Sequence, residues 1–183
     1  MQTDSLFTEI QFETLHVYAG MTQALSSSRN MIPSAHLEHF SFYKKGMNYS
    51  AVHKFSMDKN RKYNAYLIKM EGDTSGPSAV YILVFQTDGM KLIFESELAV
   101  YQLLASSFER TQNAWIADFD GDGIMDIGVH NQLIDFEKSI PEAPNSSGSK
   151  QFMYRFKNGK YEMESWNYDI LKKYALIKGN GHR

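Results

Sequence analysis

Four carboxylates fall within nine residues between Asp118 and Asp126, in the run Asp-Phe-Asp-Gly-Asp-Gly-Ile-Met-Asp. Like charges this close repel by several kcal/mol at interior dielectrics, so a folded loop carrying Asp118, Asp120, Asp122 and Asp126 calls for a neutralising cation. The spacing selects the ion. Carboxylates at positions 1, 3 and 5, the Ile124 carbonyl at position 7 and Asp126 at position 9 form an all-oxygen set suited to Ca2+. Zinc prefers His and Cys, which this segment lacks, and magnesium demands a tighter octahedron. Gly123, at position 6, permits the sharp turn that wraps an ion.

An EF-hand would need a bidentate Glu at position 12, where this chain has Val129, and its flanks would be helical. Here the flanks are β-prone, Ala114-Trp115-Ile116-Ala117 before and Ile127-Gly128-Val129 after, so the expected setting is strand, loop, strand. This stretch resembles the FG-GAP or VCBS-type calcium loop of integrin α-subunit propellers and many exported bacterial proteins. A propeller itself is not expected, because the motif occurs once and no blade-length repeat is visible.

A chain of 183 residues suffices for one domain with a real core. Its 43% hydrophobic and 14% aromatic content fits a globular chain. The net charge of -2 becomes +2 without the four loop aspartates, so the acidity is local; no basic stripe suggests nucleic acid. No apolar run is long enough for a membrane span. The absence of cysteine argues against a disulfide-stapled module. No secretory signal is legible from Met1 to Ser5, yet micromolar to millimolar calcium affinity suits an exported compartment, so a periplasmic or extracellular location is expected.

The expected fold is a single, mostly antiparallel β-domain, β-rich with one or two short helices. Residues 1–46 form an irregular segment packing on the sheet, with Met31–Gly46 over a sheet edge, residues 47–177 the core and residues 178–183 a frayed tail. Val52–Met57, Tyr63–Met70 and Ala79–Gln86 have strand length and turn-like boundaries. Ala79 to Phe85 is apolar on both faces, as for a central strand covered on each side. Asp88-Gly89 predicts a two-residue hairpin pairing Phe85 with Leu92, Leu83 with Phe94 and Gln86 with Lys91. Asn158-Gly159 predicts another, pairing Phe156 with Tyr161, Tyr154 with Met163 and Arg155 with Glu162. Leu98, Tyr101, Leu104 and Phe108 recur at helical spacing and favour a helix, although the same stretch could continue the strand; Ile140–Lys150 reads as a long exposed loop, and Asp169–Leu176 as a last short helix.

Other motifs carry less. His36 and His39 could face one side of a turn for zinc, but no third ligand is evident, so two surface histidines are expected. His130 follows the loop and is read as structural, because imidazole binds calcium poorly. Glu95 with Glu97, and Glu162 with Glu164, are read as solvated charge, not catalytic pairs. No Gly-x-Ser-x-Gly elbow is present.

The acidic strand-loop-strand followed by the Tyr-rich stretch Gln151–Glu162 resembles small exported bacterial immunity proteins and lysozyme-type inhibitors with one calcium loop. That resemblance implies a non-enzymatic protein that binds a toxin or enzyme, with Asp118, Asp120, Asp122 and Asp126 shaping an interface. The alternative is a calcium-dependent adhesin or carbohydrate-binding module with an open coordination position. A third possibility, a hydrolase with structural calcium, requires a cleft with a positioned base and nucleophile.

Overall fold

The computed structural model describes residues 4–21, 30–72, 77–105, 108–135 and 146–165. Ten strands form one sheet: β1 (Thr8–Glu9), β2 (Thr14–Val17), β3 (Asn48–Ser56), β4 (Tyr63–Glu71), β5 (Ser78–Gln86), β6 (Lys91–Ala105), β7 (Phe108–Ala117), β8 (Asp126–Asp135), β9 (Ser146–Lys157) and β10 (Lys160–Ser165). The spatial order is β1-β3-β4-β5-β6-β7-β8-β9-β10, with β2 pairing β7. Every pairing is antiparallel except β1 with β3. The protein is thus mostly β, and the helical elements among the described residues are three 3-10 turns.

Alternation along β4 and β5 builds two cores. Ala65, Leu67, Val80, Ile82 and Val84 point to one face, where they meet Phe55, Leu98, Ile116, Ile127 and Tyr161. Tyr66, Ile68, Tyr81, Leu83 and Phe85 point to the other, beneath Ile32, Leu37, Phe40 and Phe42. A strand buried on both faces needs apolar residues on both, as β5 has from Ala79 to Phe85. The sheet curls around the first core, bringing Phe94 of β6 within 4.8 Å of both Tyr154 and Tyr161, and Tyr63 of β4 within 4.8 Å of Phe156.

The segment from Asn30 to Met47 therefore covers a sheet face and not, as expected, an edge. Its backbone is held by two side chains from the sheet. Glu95 accepts hydrogen bonds from the Phe42 amide, at 3.1 Å, and from the Ser41 hydroxyl. The buried Tyr49 hydroxyl accepts from the Lys44 amide at 2.7 Å and lies 3.3 Å from the Phe42 carbonyl. Tyr49→Phe strands these groups, and a cost of about 1–3 kcal/mol is expected. Calorimetric melting should register that as a fall of several degrees. An unchanged melting temperature would remove this role from Tyr49.

The Asn158-Gly159 hairpin has the predicted register throughout, and both turn residues take positive φ, 51° and 84°. The Asp88-Gly89 connection is wider than two residues: Asp88–Met90 forms a 3-10 turn between Gln86 and Lys91. Phe85 pairs with Leu92 and Gln86 with Lys91, but Leu83 faces Glu95, because a register shift intervenes between Val84 and Phe85.

The helical spacing from Leu98 to Phe108 misleads: Lys91–Ala105 is a strand and Phe108 begins the next. Here Val100 to Leu103 pair with Glu109 to Gln112, so cross-strand partners override local periodicity. Of the expected loop Ile140–Lys150, residues 146–150 belong to β9, paired with β8, and the remainder lies outside the described residues. The expected helix Asp169–Leu176 and the tail 178–183 also lie outside them.

Candidate metal centre and adjoining cleft

The acidic segment joins β7 to β8, and the pairing of Ala117 with Asp126 closes its base. Within it, backbone amides turn toward carboxylates. Gly121 and Gly123 donate to the two Asp118 oxygens at 2.8 and 3.0 Å, Asp122 donates to Asp120 at 3.2 Å, and Ile124 donates to Asp122 at 2.8 Å. These short-range bonds make the loop concave toward its own carboxylates. Gly121 and Gly123 adopt φ of 80° and 89°, which explains glycine at both positions.

Asp118, Asp120 and Asp122 each offer an oxygen, all within 4.8 Å of one another. This is the only such group of three or more candidate ligands among the described residues. Asp120 and Asp122 are exposed, and Asp118 is half-buried. Asp126 stands apart from that trio. It is buried at 2% exposure and accepts a 3.3 Å hydrogen bond from the Phe119 amide. Burial, and then the negative charge of Asp120, push its carboxyl up to about 7. Ile124 sits in an isolated bridge with Asp58.

A protonated Asp126 in the fold has a definite sign. Its folded value lies above its ordinary one, so the folded state holds a proton that the unfolded chain releases. Without a cation, stability therefore falls as pH rises from about 4 to about 7.

Two contacts fix the loop on the rest of the molecule. The Met125 amide donates to the Met57 carbonyl at 2.7 Å, the hydrogen bond of the Ile124–Asp58 bridge, and the Tyr161 hydroxyl donates to the Met125 carbonyl at 2.9 Å. Burial raises the Tyr161 phenol far above its ordinary value, keeping it a donor. Arg155 of the same hairpin lies 3.5 Å from Asp120 and 4.0 Å from Asp126. Arg155 pairs with Glu162, as the hairpin predicts, and it also faces the acidic loop, which no local pattern announces.

Beside the loop opens a cleft of about 700 Å³. Its walls are residues 9–14, the β3–β4 turn from Asp58 to Arg61, and the acidic loop at Asp118 and Gly123; Ile10, Phe12, Phe55 and Met125 supply its apolar surface. Phe12 and Phe55 pack edge to face, with centroids 4.9 Å apart. Asp58 shapes the adjoining turn by accepting from the Asn60 and Tyr63 amides at 3.1 and 3.0 Å. Nothing in the sequence pointed to this cleft. Residues 9–14 have no clear period, and a strap is defined by what it crosses.

The remaining candidates take structural places. His130 is buried and lies 2.9 Å from the Ser149 hydroxyl, and burial lowers its pKa, favouring the neutral ring. His36 is half-buried and His39 exposed. Glu95 and Glu97 are only partly exposed, contrary to the solvated reading. Glu95 holds the covering segment, while Glu97 pairs with Arg110 at 2.6 Å and accepts from Tyr81 at 3.4 Å.

Comparison with protein-family models, with curated proteins and with solved structures finds no match to this chain. Among the described residues, no helix is long and apolar enough to cross a membrane.

Proposed function

We propose that this protein is a calcium-organised, non-enzymatic binding domain of the inhibitor or immunity type, acting on a toxin or enzyme in an exported compartment. The observation that carries the reading is the trio Asp118, Asp120 and Asp122, with oxygens within 4.8 Å of one another and Asp126 buried nearby. Hard oxygen donors in that number suit calcium, completed in this proposal by Asp126 and the Ile124 carbonyl. The FG-GAP-like character of the loop belongs to the same proposal.

The cleft combines apolar side chains with carboxylates, which supports a binding surface, and its Ser56 hydroxyl is committed to the Asp58 carbonyl at 2.7 Å. The acidic loop forms one wall, so an ion in the loop would stiffen the surface that a partner meets. The carbohydrate-binding alternative would need the ion to keep an open position toward a sugar hydroxyl, with an aromatic plate beside it.

Calcium should expel the Asp126 proton, so its affinity should rise with pH up to about 7, by up to about tenfold per unit, and level off above. Titration calorimetry at pH 6 and pH 8, in two buffers of different ionisation enthalpy, reads both the affinity and the proton released. Equal affinities at the two values would end the assignment of Asp126 as a ligand. For the function itself, the protein is immobilised with and without calcium and exposed to extracts. Recovery of one enzyme, inhibited stoichiometrically by the free protein, is the expected result. Calcium-dependent retention on polysaccharide would favour the alternative.

A further inference from the structure

Resting on the reading of this chain as a binding domain, the cleft's geometry points to one class of occupant: we infer that it receives a cationic, apolar segment of a protein partner. The occupant places an apolar side chain against Ile10, Phe12 and Met125 and a Lys or Arg at the acidic rim.

Charge and surface both favour that chemistry. Glu9, Glu13, Asp58 and Asp118 line the cleft against only Lys59 and Arg61. Arg61 is already directed to Glu9, at 3.5 Å. Asp120 and Asp122 stand exposed in the adjoining loop, so the region remains net negative even with a divalent ion in the loop and Arg155 counted against it. Such a rim attracts cations and repels acidic ligands. Ile10, Phe12 and Met125, backed by the buried Phe55, present apolar surface that a small hydrated cation would leave uncovered. Lys and Arg combine the two requirements, since their stems lie along apolar surface while their heads reach the charge. The volume also fits: about 700 Å³ is within the range of clefts that enclose a drug-sized ligand. A sugar is less suited, because Phe12 and Phe55 spend their packing on each other, edge to face, and do not form one flat plate.

The test uses the whole chain in saturating calcium, with amide NMR shifts and fluorescence anisotropy as readouts. The probes are the capped tripeptides Lys-Phe-Arg, Glu-Phe-Glu and Lys-Ala-Arg, together with maltotriose and chitotriose. Lys-Phe-Arg should shift the amides of Phe12, Phe55 and Met125 and bind at least about tenfold more tightly than the other four. Two charge changes at exposed rim positions leave the core alone: Lys59→Glu should tighten binding about threefold, and Glu13→Lys should weaken it similarly. Both effects should shrink as salt rises.

Equal or tighter binding of Glu-Phe-Glu or of either sugar overturns the inference, as does the absence of cleft shifts up to about 10 mM probe. A calcium titration of the same sample separates the two ideas. Calcium heat without peptide shifts ends this inference and leaves the metal reading standing, while cleft shifts without calcium heat support the cleft and end the metal reading.

Discussion

If the acidic loop holds calcium as proposed, replacing Asp120 and Asp122 together by alanine is expected to abolish the stabilisation by calcium and to leave the calcium-free protein no less stable. A ligand at one hundred times its dissociation constant stabilises the folded state by about 2.7 kcal/mol. For a chain of this length that corresponds to a rise in melting temperature of about 5–10 °C, reversed by a chelator. The double substitution removes two of the three clustered oxygen donors. It also removes charges that repel one another when no ion is bound, so the calcium-free melting temperature should hold or rise. Both proteins are melted in millimolar calcium and in chelator. If the variant keeps the full chelator response, or the parent has none, the acidic loop is not a calcium site.

Ile82→Ala and Leu83→Ala, made separately, should each cost about 2–5 kcal/mol and lower the melting temperature by about 5–15 °C. Both side chains are wholly buried. They are sequence neighbours on opposite faces of β5, one in the core inside the curl and the other beneath the segment that contains Phe40 and Phe42. A sheet covered on one side only would lose heavily at one position and little at the other. Leu92→Ala, at a residue 37% exposed, serves as the mild control, with an expected cost below about 1 kcal/mol. Chemical denaturation gives all three values, and a small loss at Leu83 would mean that the 30–47 segment does not seal that face.

The legible parts of the fold are those whose cause is local. Asn158-Gly159 admits positive φ at two successive residues, so the hairpin and its register follow from two letters. The unbroken apolar run of β5 has one physical explanation, cover on both faces. The strand, loop, strand arrangement around Asp118 to Asp126 follows from β-prone flanks and from glycines where the chain turns. Where the reading failed, a distant partner had decided. Leu98, Tyr101, Leu104 and Phe108 have helical spacing, yet β5 and β7 offer the backbone of β6 a ladder on each side. The register error at Leu83 came from a shift in the pairing that no turn residue announces.

The acidic loop shows the same division. Which residues carry the carboxylates, and that the chain turns sharply between them, was determined by the sequence alone, because both depend on neighbours a few bonds apart. Tertiary structure decided that Asp126 is buried while Asp120 and Asp122 face solvent, that Arg155 and Tyr161 reach the loop from a hairpin thirty-odd residues away, and that residues 9–14 and the β3–β4 turn enclose a cleft beside it. Burial and long-range juxtaposition are properties of the curled sheet. They arise when apolar faces of segments far apart in the chain are removed from water together, and no short stretch of sequence contains that information.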